Sequence, residues 1–135
     1  MNVSHEQWSI RRGDIYRIEL GVDQEYRRLE RPVLVVQNDI GNRLCSSVIV
    51  VPLTPEKEAR RVLFGILIAG GKETGLERDY VALFSQIRTL DKARFAGDNY
   101  RGFITPKLRR EVNEALEISL GLSALQEIED RMRHR

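Results

Sequence analysis

Four residues of this 135-residue chain carry a charge, an amide or a hydroxyl beside an apolar run: Arg31, Thr54, Gln86 and Arg88. Arg31 stands in front of Pro32-Val33-Leu34-Val35-Val36, Thr54 follows the run Ser46–Pro52, and Gln86 and Arg88 close Tyr80–Thr89. An arginine and a hydroxyl at the ends of rigid strands suit an anion. The planar guanidinium forks onto two oxygens of a phosphate or carboxylate, and the hydroxyl adds a neutral hydrogen bond. If the strands are neighbours, their ends converge on one rim, where scaffolds present functional groups. A plainer account is open too: Arg31 and Arg88 pair with nearby acids, and Thr54 caps a turn before Pro55.

Other chemistries are poorly supplied. The two histidines, His5 and His134, lie at opposite ends, and Cys45 is the single cysteine. A paired-imidazole mechanism, a Ser-His-Asp triad and a histidine- or thiolate-ligated zinc are therefore not expected. Asp14, Asp39, Asp79 and Asp91 are scattered beside turns, and nothing in their spacing points to a two-metal site. Gly70-Gly71 lacks the Gly-Lys-Ser/Thr of a phosphate loop. Neither metal nor cofactor is expected, and arginine, hydroxyl and carboxylate groups must carry any reaction.

The length fits one domain, and 41% apolar with 31% charged residues describes a soluble globular protein. No apolar run reaches a membrane span and the N-terminus has no secretory core. With one cysteine, a reducing cytoplasm is the expected location. A formal charge of +2 does not identify a nucleic-acid binder, but it permits a local basic groove.

The elements that would position these groups read as strands, then helix. Residues 1–10 read as a loose leader and Arg11–Asp14 as a turn. Tyr16, Ile18 and Leu20 alternate with Arg17 and Glu19, the period of a half-buried strand. Gly21–Glu30 is a charged connection, long for a hairpin. Val33–Val36, with three β-branched residues, reads as a strand buried on both faces, with Arg31 at its mouth and Gln37–Asn42 as the following turn. Further strands are expected at Ser46–Pro52, Val62–Ala69 and Tyr80–Thr89, and a short helical turn at Asp91–Phe95. Thr105-Pro106 is an N-cap with proline at the first helical position. Leu108, Val112, Ala115, Leu116 and Ser119 then follow at helical spacing until Gly121. Ser123–Gln126 resembles a capping box for a second helix reaching about Arg133. The class is α+β: a small antiparallel β-barrel with C-terminal helices.

Five collinear segments resemble the MazF/PemK (Kid) family of toxin endoribonucleases. They are Arg12–Tyr16, Arg31–Asp39, Val48–Thr54, Gln86–Lys92 and Glu114–Leu122, so the likeness spans residues 11–122 and leaves 123–135 as an extension. The resemblance implies an SH3-like barrel of the CcdB/Kid type, a homodimer and metal-independent cleavage of single-stranded RNA at short sequences. It implies a MazE-like antitoxin whose disordered acidic tail occupies the RNA groove. The family's catalytic arginine and Thr/Ser fall on Arg31 and Thr54. RNA supplies the nucleophile, its own 2′-OH, and in-line attack gives a 2′,3′-cyclic phosphate. The protein must align the strand and stabilise phosphate charge. Arginine is a poor general base, since bringing a pKa of roughly 13 to neutrality costs about 8 kcal/mol. Arg31 is therefore read as phosphate clamp and proton donor.

Departures from the family fall in the loop before Arg31. Where relatives carry Gly-Ser-Glu-Gln, this chain has Asp23-Gln24-Glu25-Tyr26-Arg27-Arg28, one residue shorter, with Glu25 the candidate for the family's acid. Ser85 precedes Gln86 where a glutamate is usual, and Phe64-Gly65-Ile66 lacks the family's histidine. Glu25, Tyr26, Arg27, Arg28, Gln86 and Arg88 are the expected substrate contacts. Tyr26 either stacks on an unpaired base or covers the barrel. Two other readings stay in view: an inactive RNA-binding homologue, and a CcdB-like gyrase inhibitor. The gyrase inhibitor's Trp-Gly-Ile anchor is missing from Met132-Arg133-His134-Arg135.

Overall fold

The computed structural model describes residues 9–22, 24–58, 65–122 and 133. Among them seven strands are formed: β1 (Asp14–Val22), β2 (Arg28–Val35), β3 (Ser47–Pro55), β4 (Gly65–Ile68), β5 (Tyr80–Leu83), β6 (Arg88–Asp91) and β7 (Tyr100–Phe103). Two helices accompany them, α1 (Asp39–Leu44) and α2 (Pro106–Ser119). The sheet runs β4-β5-β3-β2-β1-β7, with β6 also on β3, and every pairing is antiparallel. It curls into a half-barrel. Its open side is closed by the chain after β4, where the Phe103 amide donates to Glu73 O at 2.9 Å. Backbone meets backbone there: a Cβ built on Gly75 would overlap the Arg101 carbonyl, and one on Gly102 the Glu73 carbonyl.

The apolar run in β2 is buried on both faces, as its composition predicts. Leu34 joins Ile15, Val51, Leu53, Phe84 and Ile104 under α2, whose Val112 and Ala115 face this cluster. Val33 and Val35 point the other way, into a cluster with Tyr16, Ile18, Val48, Val50, Leu90 and Phe95. Tyr16 meets Phe95 and Tyr100 edge-on, with ring centroids 5.1 and 5.5 Å apart. Ile10 is also buried here, so the core begins inside the segment expected to be a loose leader.

Several expected boundaries move. Gly21–Glu30 is no long connection: β1 continues through Val22 and β2 starts at Arg28, so the hairpin tip is short. Arg31 consequently lies within β2, not at its mouth, and Thr54 lies within β3, not after it. Tyr80–Thr89 is broken by a 3-10 turn at Phe84–Gln86 that turns Phe84 into the core, giving β5 and β6 on one edge of β3. Strand β7 was not expected. Val62–Phe64 and the second helix proposed from Ser123 lie outside the described residues. Helix α2 forms as read: Thr105 Oγ1 accepts from the Leu108 amide at 3.3 Å. Gly121, at φ +74°, ends it in a Schellman arrangement, with the Leu122 amide on Glu117 O at 2.7 Å.

The segment Gln37–Asn42, expected as a turn, is the start of α1, capped by Asn38 Oδ1 on the Gly41 amide at 2.8 Å. It encloses a buried polar network. Gln37 Nε2 donates to Asn42 Oδ1 at 3.1 Å and to Ser47 O at 2.9 Å, and Asn42 Nδ2 donates to Gln37 O at 3.0 Å. Asp39 accepts from Asn42 Nδ2 and from the Arg12 amide, and Arg12 Nε donates to Val36 O. Burial pulls the Arg12 guanidinium down in pKa, opposed by the Asp39 carboxylate. The network ties β1, β2, α1 and β3 together at the end of the barrel away from Arg31.

Two stability outcomes follow. Asn42 is only 1% exposed, so Asn42→Ala, which strands the Gln37 amide, should cost about 1–3 kcal/mol in denaturant melts. Gly102→Ala should cost a similar amount, about 1–3 kcal/mol, because no side chain at the Glu73 carbonyl can move aside. A Gly102→Ala melting curve matching the parent would contradict the backbone contact that closes the half-barrel.

Candidate active site

Strands β2 and β3 are laddered only at Val33–Pro52, Leu34–Val51 and Val35–Val50. Pro32 and Pro52 have no N–H to extend the ladder. Past that point the strands follow different partners. β2 stays with β1, Arg31 opposite Ile18, while β3 turns to β5, pairing Leu53–Pro55 with Tyr80–Ala82. The sheet forks. Continuing the register by two residues from Val33–Pro52 sets Arg31 across from Thr54, with no backbone pairing between them. Strand alternation puts Arg31 on the face of Val33 and Val35, and Thr54 on the face of Val48 and Val50. Both therefore rise from the same side of the sheet, that of the cluster around Tyr16.

Arg88 belongs to this face as well, since it pairs with Val50. It stands four residues of β3 from Thr54, roughly 13 Å along the strand. Gln86 is exposed in the 3-10 turn between β5 and β6, beside the middle of β3. The three polar strand positions thus share one face of the sheet, with Arg31 and Thr54 at corresponding positions on the two diverging strands.

Arginine partners separate these groups from the rest. Among the described residues no carboxylate lies within 4.0 Å of Arg31 or Arg88. Among the described residues Arg31 makes one long hydrogen bond, Nη1 to Glu30 O at 3.4 Å. Thr54 Oγ1 caps nothing among these residues. The arginines around them are engaged: Arg17 with Glu30 at 3.5 Å, Arg28 with Glu19 at 3.7 Å, and Arg27 with Glu25 at 3.0 Å. The account in which Arg31 and Arg88 are ordinary ion-pair residues finds no support.

The other expected substrate contacts sit apart, on the β1–β2 hairpin. Glu25, Tyr26, Arg27 and Arg28 are all exposed. Tyr26 does not cover the barrel: it is 87% exposed. A shallow depression of about 420 Å³ lies between this hairpin and the chain after β6, walled by Ile18, Glu19, Gly21, Glu30, Arg94 and Asn99. Arg94 holds Glu19 O at 3.0 Å and Asn99 holds Arg17 O at 3.1 Å. Sequence reasoning misses Arg94, a basic residue of a short turn that only the topology brings beside β1.

On the opposite face, next to Thr54, Tyr80 donates its hydroxyl to Glu77 at 2.5 Å. Burial, and then the Glu77 carboxylate, push the Tyr80 hydroxyl up in pKa. The same hydrogen bond draws the Glu77 carboxyl down. Tyr80 is thus a locked donor. Among the described residues no three histidine, cysteine or acidic side chains converge.

Known proteins resemble this chain in sequence and fold. An endoribonuclease EndoA of Bacillus subtilis is 39% identical over 115 residues, covering 84% of this chain and 96% of that protein. An endoribonuclease MazF of Staphylococcus saprophyticus is 37% identical over 117 residues, covering 86% and 95%. A mycobacterial endoribonuclease solved with its cognate antitoxin superposes with a TM-score of 0.68 at 30% identity, covering 85% of this chain and 98% of that one. A MazE–MazF complex from Deinococcus radiodurans gives 0.65 at 20% identity, over 87% and 100%, which speaks for the fold alone. The family model describing PemK-like, MazF-like toxins of type II toxin–antitoxin systems matches residues 11–120. With a family match over most of its length and two such relatives, this chain belongs to the PemK-like, MazF-like toxins.

Proposed function

We propose that this toxin endoribonuclease cuts single-stranded RNA by attack of a ribose 2′-OH on the adjacent phosphorus, with Arg31 and Thr54 holding the phosphate. The observation that carries this reading is the fork itself. An arginine with no carboxylate in ion-pairing reach among the described residues stands, by continued register, across from a hydroxyl on strands that share no backbone pairing there. In the reaction the 2′-oxygen–phosphorus bond forms and the phosphorus–5′-oxygen bond breaks, leaving a 2′,3′-cyclic phosphate and a 5′-hydroxyl. Charge builds on the non-bridging oxygens, which a guanidinium fork and one hydroxyl suit. The Arg31 N–H groups can also hand a proton to the departing 5′-oxygen, while a different group takes the 2′ proton. Arg88 and Gln86 continue the line along the strand, where further nucleotides pass.

The working unit in this reading is a homodimer in the cytoplasm. A MazE-like antitoxin with an acidic, disordered C-terminal segment restrains it by lying along the same cationic line. An acidic chain and an RNA backbone present the same sign of charge to Arg31 and Arg88, so the two compete.

Purified protein incubated with a long RNA, with the cut ends mapped, supplies the recognition sequence. On that substrate Arg31→Ala should slow cleavage by roughly 10²- to 10³-fold with an unchanged melting temperature. Arg31→Lys should recover only part of it, lacking the fork. Thr54→Val should be slow and Thr54→Ser active. EDTA should change nothing. A 2′-deoxyribose at the cut nucleotide should abolish the reaction, and cleavage of that substrate would sink the 2′-OH mechanism.

A further inference from the structure

The tip of the β1–β2 hairpin combines two features that oppose ordinary stability. Tyr26 has φ +62°, and it is the one described non-glycine residue in the left-handed region. That conformation favours glycine or asparagine and disfavours a bulky side chain. Its ring is also 87% exposed, the highest value among the exposed large apolar side chains. A tyrosine here gains neither local backbone stability nor burial. Glycine would serve the turn better on both counts.

Two exposed ion pairs flank the ring. Glu25 and Arg27, its two neighbours, are ion-paired at 3.0 Å. Beyond them Arg28 reaches Glu19 at 3.7 Å, across the irregularity between Glu19 and Val22 where the β1–β2 register shifts. One pair thus spans Tyr26 and the other follows it, and the left-handed residue leaves its ring in solvent. The hairpin is continuous with the site. Tyr26 lies five positions before Arg31, a reach of roughly 17 Å at most, so a chain whose phosphate lies on Arg31 has a base a few nucleotides away within reach of the ring.

Resting on the endoribonuclease reading, we infer that Tyr26 is a base-stacking platform. It takes the face of one unpaired base at a fixed distance from the cut, and so helps select single-stranded RNA. Stacking on an exposed aromatic is open to an unpaired base and closed to one inside a duplex. The flanking ion pairs are exposed and weak, so Arg27 and Arg28 can turn to neighbouring phosphates when RNA arrives.

The test uses full-length protein and a synthetic RNA carrying its mapped cut site, with 2′-deoxyribose at the cut nucleotide so that binding is read without cleavage. Tyr26→Ala should weaken binding by roughly five- to hundredfold, while Tyr26→Phe and Tyr26→Trp stay close to the parent. Tyr26→Gly should lose the same affinity while melting at the parent's temperature or above, because it relieves the positive φ. A walk of single abasic positions gives the decisive reading: one position should weaken parent binding and leave Tyr26→Ala binding unaffected. Equal affinity of Tyr26→Ala and parent, or abasic losses identical in both, would overturn the inference. A change in dimer mass without a change in RNA affinity would assign the ring to assembly and overturn it equally. Failure of the unsubstituted protein to cut any RNA would instead overturn the endoribonuclease reading on which the inference rests.

Discussion

The structure depends on the end of the β2–β3 ladder. A strand pair buried on both faces has every reason to keep pairing, since each added rung satisfies backbone groups that burial would leave stranded. Here the ladder ends at Val33–Pro52, and prolines stand on both strands where it stops. β2 then finds its backbone partners on β1 and β3 finds them on β5. One strand thus serves two curved surfaces, the sheet closes toward a barrel, and the gap between the diverging strands is left to side chains. Arg31 and Thr54 occupy that gap because the same register that packs Val33 and Val35 also fixes theirs.

Charge follows from this geometry. The chain carries 22 basic and 20 acidic residues, so its overall balance of +2 supplies little long-range attraction for a polyanion. What matters is which cations are uncommitted. Exposed arginines on the hairpin are balanced by Glu19, Glu25 and Glu30. Arg31 and Arg88 share their sheet face with apolar residues, Ile18, Val50 and Leu90 among them, which offer no carboxylate. A cation beside such a low-dielectric wall interacts with a phosphate more strongly than one in open water. The apolar face therefore has two effects: it packs the core, and it leaves Arg31 and Arg88 without a carboxylate partner among the described residues.

How much of this could be read from sequence depended on whether a feature was local. The double burial of Val33–Val36 and the start and stop of α2 were legible, because an apolar β-branched run, a Thr-Pro start and Gly121 each act through neighbouring residues. The break at Phe84 was not. An apolar residue inside an alternating run looks like any other strand residue, and only the core on the α2 side calls it inward. Helix α1 was hidden by its length, since Asn38 serves equally as a turn former and a cap when six residues follow. Arg31 and Thr54 could be nominated as strand-end groups and through the family likeness. Their facing positions could not, because which strand β3 leaves and joins is settled by tertiary packing.

The same distinction bears on how recognition can change while chemistry is kept. Moving Arg31 would drag Val33 and Val35 out of a packed cluster, at a cost of several kcal/mol by the scale of core substitutions. The described tip residues Glu25, Tyr26 and Arg27 are exposed and belong to neither core cluster, and the β1–β2 ladder already absorbs a change of register between Glu19 and Val22. Variation in this loop therefore alters what the tip presents without shifting the rung that places Arg31. Variation before Arg31 is thus physically inexpensive for the fold, and under the proposed mechanism its consequences fall on which RNA is held.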